Sequence, residues 1–236
     1  MNKPEKKSSS NKSATESEST FKDLELTDEM MKALERAGYE IPSPVQAGVI
    51  PPALEGLDVM GQAQTGTGKT AAFTIPILEQ LAPRDEIATV QALVLVPTRE
   101  LAVQVRNEFE KLAYFMDFKT AAIYGGHSIK KQIEELKRGV QVVVGTPGRV
   151  RDHIRRKTLD LRETWCVTLD EADRMLDIGF RPDIEKILSS VSRKDRQTLL
   201  LSATVHPALE RLAKSYMHET TIIDFSKDAV SGDSIE

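Results

Sequence analysis

The chain has 236 residues, 40% of them hydrophobic and 29% charged, enough to bury one substantial core and leaving one or two domains possible. A formal net charge of −4 and a pI near 5.7 exclude a generally basic nucleic-acid binder, so a polyanion has to be held by a local patch or by oriented backbone amides. A single cysteine, Cys166, rules out an internal disulfide framework, and no apolar run approaches the roughly 18 residues of a membrane span.

Residues 1–20 are Ser, Lys, Glu, Asn and Thr with almost nothing apolar, which predicts a disordered polar tail. The tail has no apolar centre like that of a secretion signal, and the protein is expected in the cytoplasm. One domain is expected over 21–225. Residues 226–236 are polar again and read as a frayed terminus or the start of a linker.

Within the domain, short Val/Ile/Leu-rich runs alternate with stretches of helical period. In chain order the pattern predicts helices over Asp28–Ala37 and Val45–Leu54, a strand over Asp58–Gly61, a helix over Lys69–Leu81 and a strand over Ala92–Val96. There follow a helix at Glu100–Tyr114, a strand at Thr120–Ile123, a helix at Ile129–Lys137, a strand at Val140–Val144 and a helix at Val150–Arg155. A strand at Cys166–Leu169, a helix at Arg181–Val191, a strand at Thr198–Leu201, a helix at Pro207–Tyr216 and a strand at Thr221–Ile223 complete the pattern. Alternation of this kind predicts a doubly wound α/β domain with a mostly parallel sheet.

Polar clusters follow directly on the carboxyl ends of the predicted strands: Gln64–Thr70, Pro97–Glu100, Thr146–Arg149, Asp170–Asp173 and Ser202–Thr204. In an open parallel sheet those ends share one edge, and ligands bind there. Ala63–Thr70 reads AQTGTGKT and ends in the Gly-Lys-Thr of a phosphate-binding loop, although the strict pattern has glycine in place of Ala63. Gly66 and Gly68 are expected to form the bend, with Gln64, Thr65 and Thr67 between and beside them. Lys69 is expected to reach the β and γ phosphates, and Thr70 to hold Mg2+ through its hydroxyl. Asp170 and Glu171 close the strand CVTL, where one carboxylate can bind the metal and the next can orient a water for in-line attack on the γ phosphate.

Asp170–Asp173 spell DEAD directly before RMLDIGF, and here the sequence resembles the DEAD-box RNA helicases over nearly everything from Phe21 to Asp224. The resemblance implies the RecA-like P-loop fold, with ATP or ADP and Mg2+ as ligands. Gly38–Gln46, GYEIPSPVQ, looks like the family's adenine-recognising segment, with Ser43 and Val45 where Thr and Ile are usual. Gln46 can offer a donor and an acceptor to the adenine edge. The resemblance also assigns Tyr39 to the nucleotide and has Phe21 stack on the base. Ser202, Ala203 and Thr204 form its SAT triplet, which links the γ-phosphate site to RNA binding and lobe closure, and their hydroxyls are expected to bond Asp173.

Pro97, Thr98 and Arg99 match PTRELA, with Thr98 as the cap of the following helix, leaving first-turn amides and the Arg99 charge for an RNA phosphate. Thr146, Pro147, Gly148 and Arg149, TPGR, repeat that design, Thr146 as cap and Pro147 at the first helical position. Gly125 and Gly126 match the family's paired glycine. Around TPGR, Arg151, His153, Arg155, Arg156 and Lys157 form the most basic stretch of the chain, part of it a solvated helix face. His127, His206 and His218 have no ligand-like spacing with one another or with Cys166, which speaks against zinc, and no function is assigned to any histidine.

The implied mechanism closes two lobes around ATP and single-stranded RNA, the RNA being held mainly through its sugar-phosphate backbone. The second lobe supplies arginine fingers and half of the RNA groove. This sequence stops before such a segment, so the expectation is a monomeric nucleotide-binding lobe that hydrolyses ATP poorly alone. The rival readings are a nucleotide-binding RNA interaction module without catalysis, a DNA-directed translocase lobe, and a general RNA chaperone tail at residues 1–20 with an incidental ATPase.

Overall fold

The computed structural model describes residues 20–82, 89–191, 195–218 and 220–225. The polar tail, apart from Thr20, and the linker at 226–236 lie outside the described residues. Seven strands form one sheet: β1 (Val59–Gln62), β2 (Ala92–Leu95), β3 (Thr120–Ile123), β4 (Val142–Gly145), β5 (Cys166–Leu169), β6 (Gln197–Ser202) and β7 (Thr221–Asp224). Their spatial order is β3-β4-β2-β5-β6-β1-β7, and every pairing is parallel. All seven predicted strands are present, Thr120–Ile123 and Cys166–Leu169 with the expected bounds and the others with ends shifted by at most two residues.

The central strands are near-continuous apolar runs because helices cover both faces of the sheet. Successive side chains point to opposite faces, so Ala92 and Val94 of β2 enter one core cluster while Leu93 and Leu95 enter the other. The first cluster packs under α1 (Asp28–Ala37), α2 (Pro44–Leu54), α3 (Lys69–Gln80) and α4 (Arg99–Leu112), with Phe73 and Phe109 fully buried in it. Beyond α5 (Ile129–Lys137), the second cluster packs under α6 (Pro147–Arg155), α7 (Ala172–Ile178), α8 (Arg181–Ser190) and α9 (Pro207–Tyr216).

Two elements escape the sequence pattern. A single 3-10 turn covers Phe21–Leu24, and α7 has only seven residues, too few for a helical period to show. Glu171, in the left-handed region at φ 51°, starts α7, and Gly179 at φ 94° ends it. Helix α6 begins at Pro147, three residues before the helix expected over Val150–Arg155, because the fixed φ of proline is already helical.

The strand order has a functional consequence. The loops after β3, β4 and β2, three neighbours, carry the glycine pair, TPGR and PTR. The loops after β5, β6 and β1, the next three, carry DEAD, SAT and the phosphate loop. One edge of the sheet is thereby divided into two adjoining halves.

Candidate active site

The phosphate loop leaves β1 after Gln62 and enters α3 at Lys69. Gly66 and Gly68 take φ values of 83° and 92°, a region closed to most side chains. At Gly68 a Cβ would also come within 2.6 Å of the Gln46 amide nitrogen. Gly68 caps α3 without a side chain, which leaves the first-turn amides of the helix for an anion. Lys69, 5% exposed, folds back and donates from Nζ to the Ala63 carbonyl at 2.8 Å. In this conformation the lysine closes the loop on itself, and a phosphate reaching it has to displace the Ala63 contact. The Thr67 hydroxyl likewise donates to the Gln64 carbonyl at 2.8 Å.

A cleft of about 360 Å³ brings Thr65, Gly66, Gly68, Lys69 and Thr70 together with Asp170 and Glu171. Asp170, 2% exposed, is the first residue past β5 and is fixed by its own amide to Leu95 O at 3.0 Å. Its carboxylate accepts the Glu171 amide at 2.9 Å. Burial pushes the Asp170 carboxyl up to about 6, against the nearby Lys69 ammonium, which favours the charged form. Glu171 sits in the left-handed turn and pairs with Arg174 at 3.1 Å.

The structure gives Phe21, Tyr39 and Gln46 the following surroundings. Phe21 is 3% exposed, packed in the core and meeting Tyr39 edge-on at 6.1 Å between centroids. Tyr39 lines the cleft of the phosphate loop, and Phe21 and Tyr39 together line a neighbouring one. Gln46, 3% exposed, has both ends of its amide in use. Its oxygen accepts the Ser43 amide at 2.9 Å, completing a capping box at the start of α2, and its nitrogen donates to the Gly68 carbonyl at 3.3 Å. The amide thus ties the segment Gly38–Gln46 to the phosphate loop, with one Nε2 hydrogen and one Oε1 lone pair beyond those two bonds.

DEAD and SAT are stitched across neighbouring strands β5 and β6. The Thr204 hydroxyl and amide donate to the Asp173 carboxylate at 2.8 and 2.9 Å. Ser202 acts through the backbone: its hydroxyl accepts the Asp173 amide at 3.2 Å and donates to the Thr204 carbonyl at 2.8 Å. Burial raises the Asp173 carboxyl, but the hydrogen bonds from Thr204 and its neighbours outweigh it and hold the group below its ordinary value. Ala203 lies between the two hydroxyl residues, and its carbonyl accepts from Gln62 at 3.5 Å.

On the other half of the edge, Thr98 caps α4 as expected, accepting the Leu101 amide at 3.2 Å. Pro97 is buried and Arg99 exposed beside Glu100. Thr146 stands at the cap position of α6, but its side chain makes no capping bond; Pro147 at the first position removes one of the amides that would need it. Arg149 is not a free arginine. Its Nη1 donates to the His127 carbonyl and to Gln132 Oε1, both at 3.0 Å. Gln132 and His153, both fully buried, complete the tie: Gln132 donates to the Tyr124 carbonyl at 3.0 Å and lies 3.1 Å from His153 Nε2. This network locks the exposed Gly125–Gly126 turn against TPGR. Gly125, Thr146, Gly148 and Arg149 line a second cleft with Arg151, Arg155 and Phe180.

The sequence profile of the DEAD/DEAH box helicases matches residues 43–212, most of the chain. The chain belongs to the DEAD/DEAH box helicase family. It is similar to the DEAD-box ATP-dependent RNA helicase CshA of Geobacillus kaustophilus, 51% identical over 204 residues that make up 86% of this chain and 43% of that protein. CshA of Bacillus subtilis is 49% identical over 85% of this chain and 40% of its own length. The crystal structure of a DEAD box protein from the hyperthermophile Methanococcus jannaschii superposes with a TM-score of 0.82 at 44% identity, covering 87% of this chain and 55% of that one. The chain thus spans about two fifths of the length of the curated relatives it matches.

Some residues of this DEAD/DEAH box site carry no motif. Leu101, Gln104 and Glu108 of α4 line the nucleotide cleft, and Gln132 and His153 hold the opposite half. The basic stretch after TPGR divides the same way. Arg155 and Arg156 pair with Asp152 at 3.3 and 2.9 Å, Arg151 pairs with Asp183, and His153 is interior. Only packing distinguishes that histidine from its exposed neighbours.

Proposed function

We propose that this chain is the nucleotide-binding lobe of an ATP-dependent RNA helicase, binding adenine nucleotide with Mg2+ at the β1–β5–β6 half of the edge and the backbone of single-stranded RNA at the β2–β4–β3 half. The observation that carries the reading is the meeting of Lys69 and Thr70 with Asp170 and Glu171 in one cleft, from segments a hundred residues apart. In this reading Lys69 leaves the Ala63 carbonyl for the β and γ phosphates, and Glu171, braced by Arg174, orients the attacking water.

The residues fit Mg2+. Asp170 is a buried carboxylate that ionises against desolvation, which a dication would offset, and the Thr70 hydroxyl shares its cleft. Among the described residues no group of three or more His, Cys, Asp or Glu could hold a metal, and Mg2+ is commonly held by one or two carboxylates with waters and phosphates making up the rest. Mg2+, when bound, neutralises charge on the β and γ phosphates. Asp173 and Thr204 would carry the state of the nucleotide side toward the RNA side. Full turnover is assigned to the parent protein, whose second lobe supplies arginine fingers. Their absence costs roughly a thousandfold or more, so this lobe alone hydrolyses ATP very slowly.

The test is calorimetric binding of ADP, AMP and GDP with Mg2+ to the chain and to its Lys69→Ala and Gln46→Ala variants. ADP is expected to bind in preference to GDP, and both substitutions to weaken it. Equal binding of ADP and GDP, or no effect of Lys69→Ala, would contradict the assignment.

A further inference from the structure

Leu101, Gln104 and Glu108 are spaced three and four residues apart, so they form one stripe along α4, and that stripe walls the nucleotide cleft opposite the phosphate loop. Glu108 is the charged member. Its Oε1 accepts the phenol of Tyr39 at 2.8 Å, a bond spanning 69 residues of sequence. Lys111, one turn further along α4, pairs with the same oxygen at 2.8 Å and lies 4.9 Å from the centre of the Tyr39 ring. Phe21 meets the ring edge-on from the core side, at an interplanar angle of 86°.

Tyr39 needs such a tether. It follows Gly38, whose left-handed conformation ends α1, and stands in the irregular segment before α2. Among the described residues its backbone is tied through its amide to the Leu34 carbonyl, at 2.9 Å. Burial, and after it the bond to Glu108, push the phenol well above its ordinary value, so it remains a donor at any working pH.

We propose that Glu108 is a positioning residue of the nucleotide site, holding the Tyr39 ring as a pre-set stacking wall for the adenine base. The inference rests on the reading of the cleft as an adenine-nucleotide site with Tyr39 at its base end. In this proposal Glu108 acts on the base end, through its bond to Tyr39, and not on the phosphate end. Its effect is to spare the ligand the cost of freezing the tyrosine, which for one rotamer-rich side chain corresponds to roughly a two- to tenfold change in affinity.

Calorimetry on the intact chain with Mg2+ tests it, using ADP as the full ligand and inorganic pyrophosphate as a probe of the phosphate end alone. Tyr39→Phe and Glu108→Ala are each expected to weaken ADP by the same factor, roughly two- to tenfold. The double variant is expected to lose no more than either single one. Glu108→Gln, which keeps an acceptor oxygen, is expected to restore most of the loss, and pyrophosphate affinity to stay constant throughout. Undiminished ADP affinity in Glu108→Ala, additive losses in the double variant, or equal losses for ADP and pyrophosphate would each overturn the proposal. Tyr39→Ala separates the two levels of reading. If it weakens ADP while the Glu108 variants do not, only the positioning role fails. If it leaves ADP unchanged, the base-stacking assignment falls and takes the role of Glu108 with it.

Discussion

Replacing Asp170 by asparagine should make the nucleotide-free chain more stable while abolishing its tight use of Mg2+-nucleotide. Folding raises this carboxyl from 3.8 to about 6 through burial, so the folded state prefers the protonated form. The stability linked to that proton is fully present below pH 3.8 and is lost as pH rises through about 6. At 1.36 kcal/mol per pH unit, the interval from 3.8 to about 6 makes the ionised group cost about 3 kcal/mol at pH 7.5. At pH 4.5, where the folded protein is already mostly protonated, the same linkage leaves a cost of only about 1 kcal/mol. Asparagine has the same shape, keeps an oxygen for the Glu171 amide, and carries no charge. Asp170→Asn is therefore expected to gain up to about 3 kcal/mol at pH 7.5 in urea unfolding without Mg2+, and about 1 kcal/mol at pH 4.5. In a chain of this length the larger gain corresponds to a rise in Tm of roughly 6–12 °C. Added Mg2+ and ADP should stabilise the native chain and not the variant. A variant no more stable than the native chain at pH 7.5, or a gain that does not shrink at pH 4.5, would refute the account of Asp170 as a desolvated charge awaiting a cation.

Gly68→Ala should cost the chain its nucleotide affinity, because the residue sits at φ 92° and its Cβ would fall 2.6 Å from Gln46; calorimetry with ADP and Mg2+ would show retained binding if the loop tolerates the change. Thr204→Val removes the hydroxyl donor to Asp173 and should raise that carboxyl toward its ordinary value, as read by NMR titration. The stability Asp173 contributes is lost as pH falls from the ordinary carboxylate value through its depressed folded value, so the variant should have less of it to lose and should complete the loss at higher pH, with an effect below about 1 kcal/mol at this exposed threonine. The Cys166 thiol, fully buried and pushed up to about 12, should resist alkylation at pH 8 until the chain unfolds; rapid modification of the native state by iodoacetamide would show that β5 opens locally.

The candidate site was legible to different depths. Gly66, Gly68, Lys69, Thr70, Asp170 and Glu171 could be found because their chemistry demands a fixed local order of residue types, and local order is what a sequence preserves. Gln46 and Phe21 were found by the same means, but their protein contacts came only with the packing. The Gln46 cap on Ser43 is local, but its tie to the Gly68 carbonyl and the meeting of Phe21 with Tyr39 join segments 22 and 18 residues apart. Glu108, Gln132 and His153 left no local trace, since each is revealed by a partner far along the chain: Tyr39 for Glu108, Arg149 for Gln132 and Gln132 for His153.

The sequence by itself determined the seven strands, most of the helices between them, the phosphate loop and the placement of polar clusters at strand ends, because periodicity, proline, glycine and capping chemistry act within a few residues. Only the tertiary structure decided the strand order β3-β4-β2-β5-β6-β1-β7, and with it the division of one edge into adjoining halves. Parallel strands are paired by crossovers that bury apolar faces, and nearly interchangeable runs such as ALVL and VVVG carry no label of their neighbours. The same long-range packing buried Asp170 beside Lys69 and tied Tyr39 to Glu108. Charge state and ring orientation are properties of surroundings that exist only once the chain has folded.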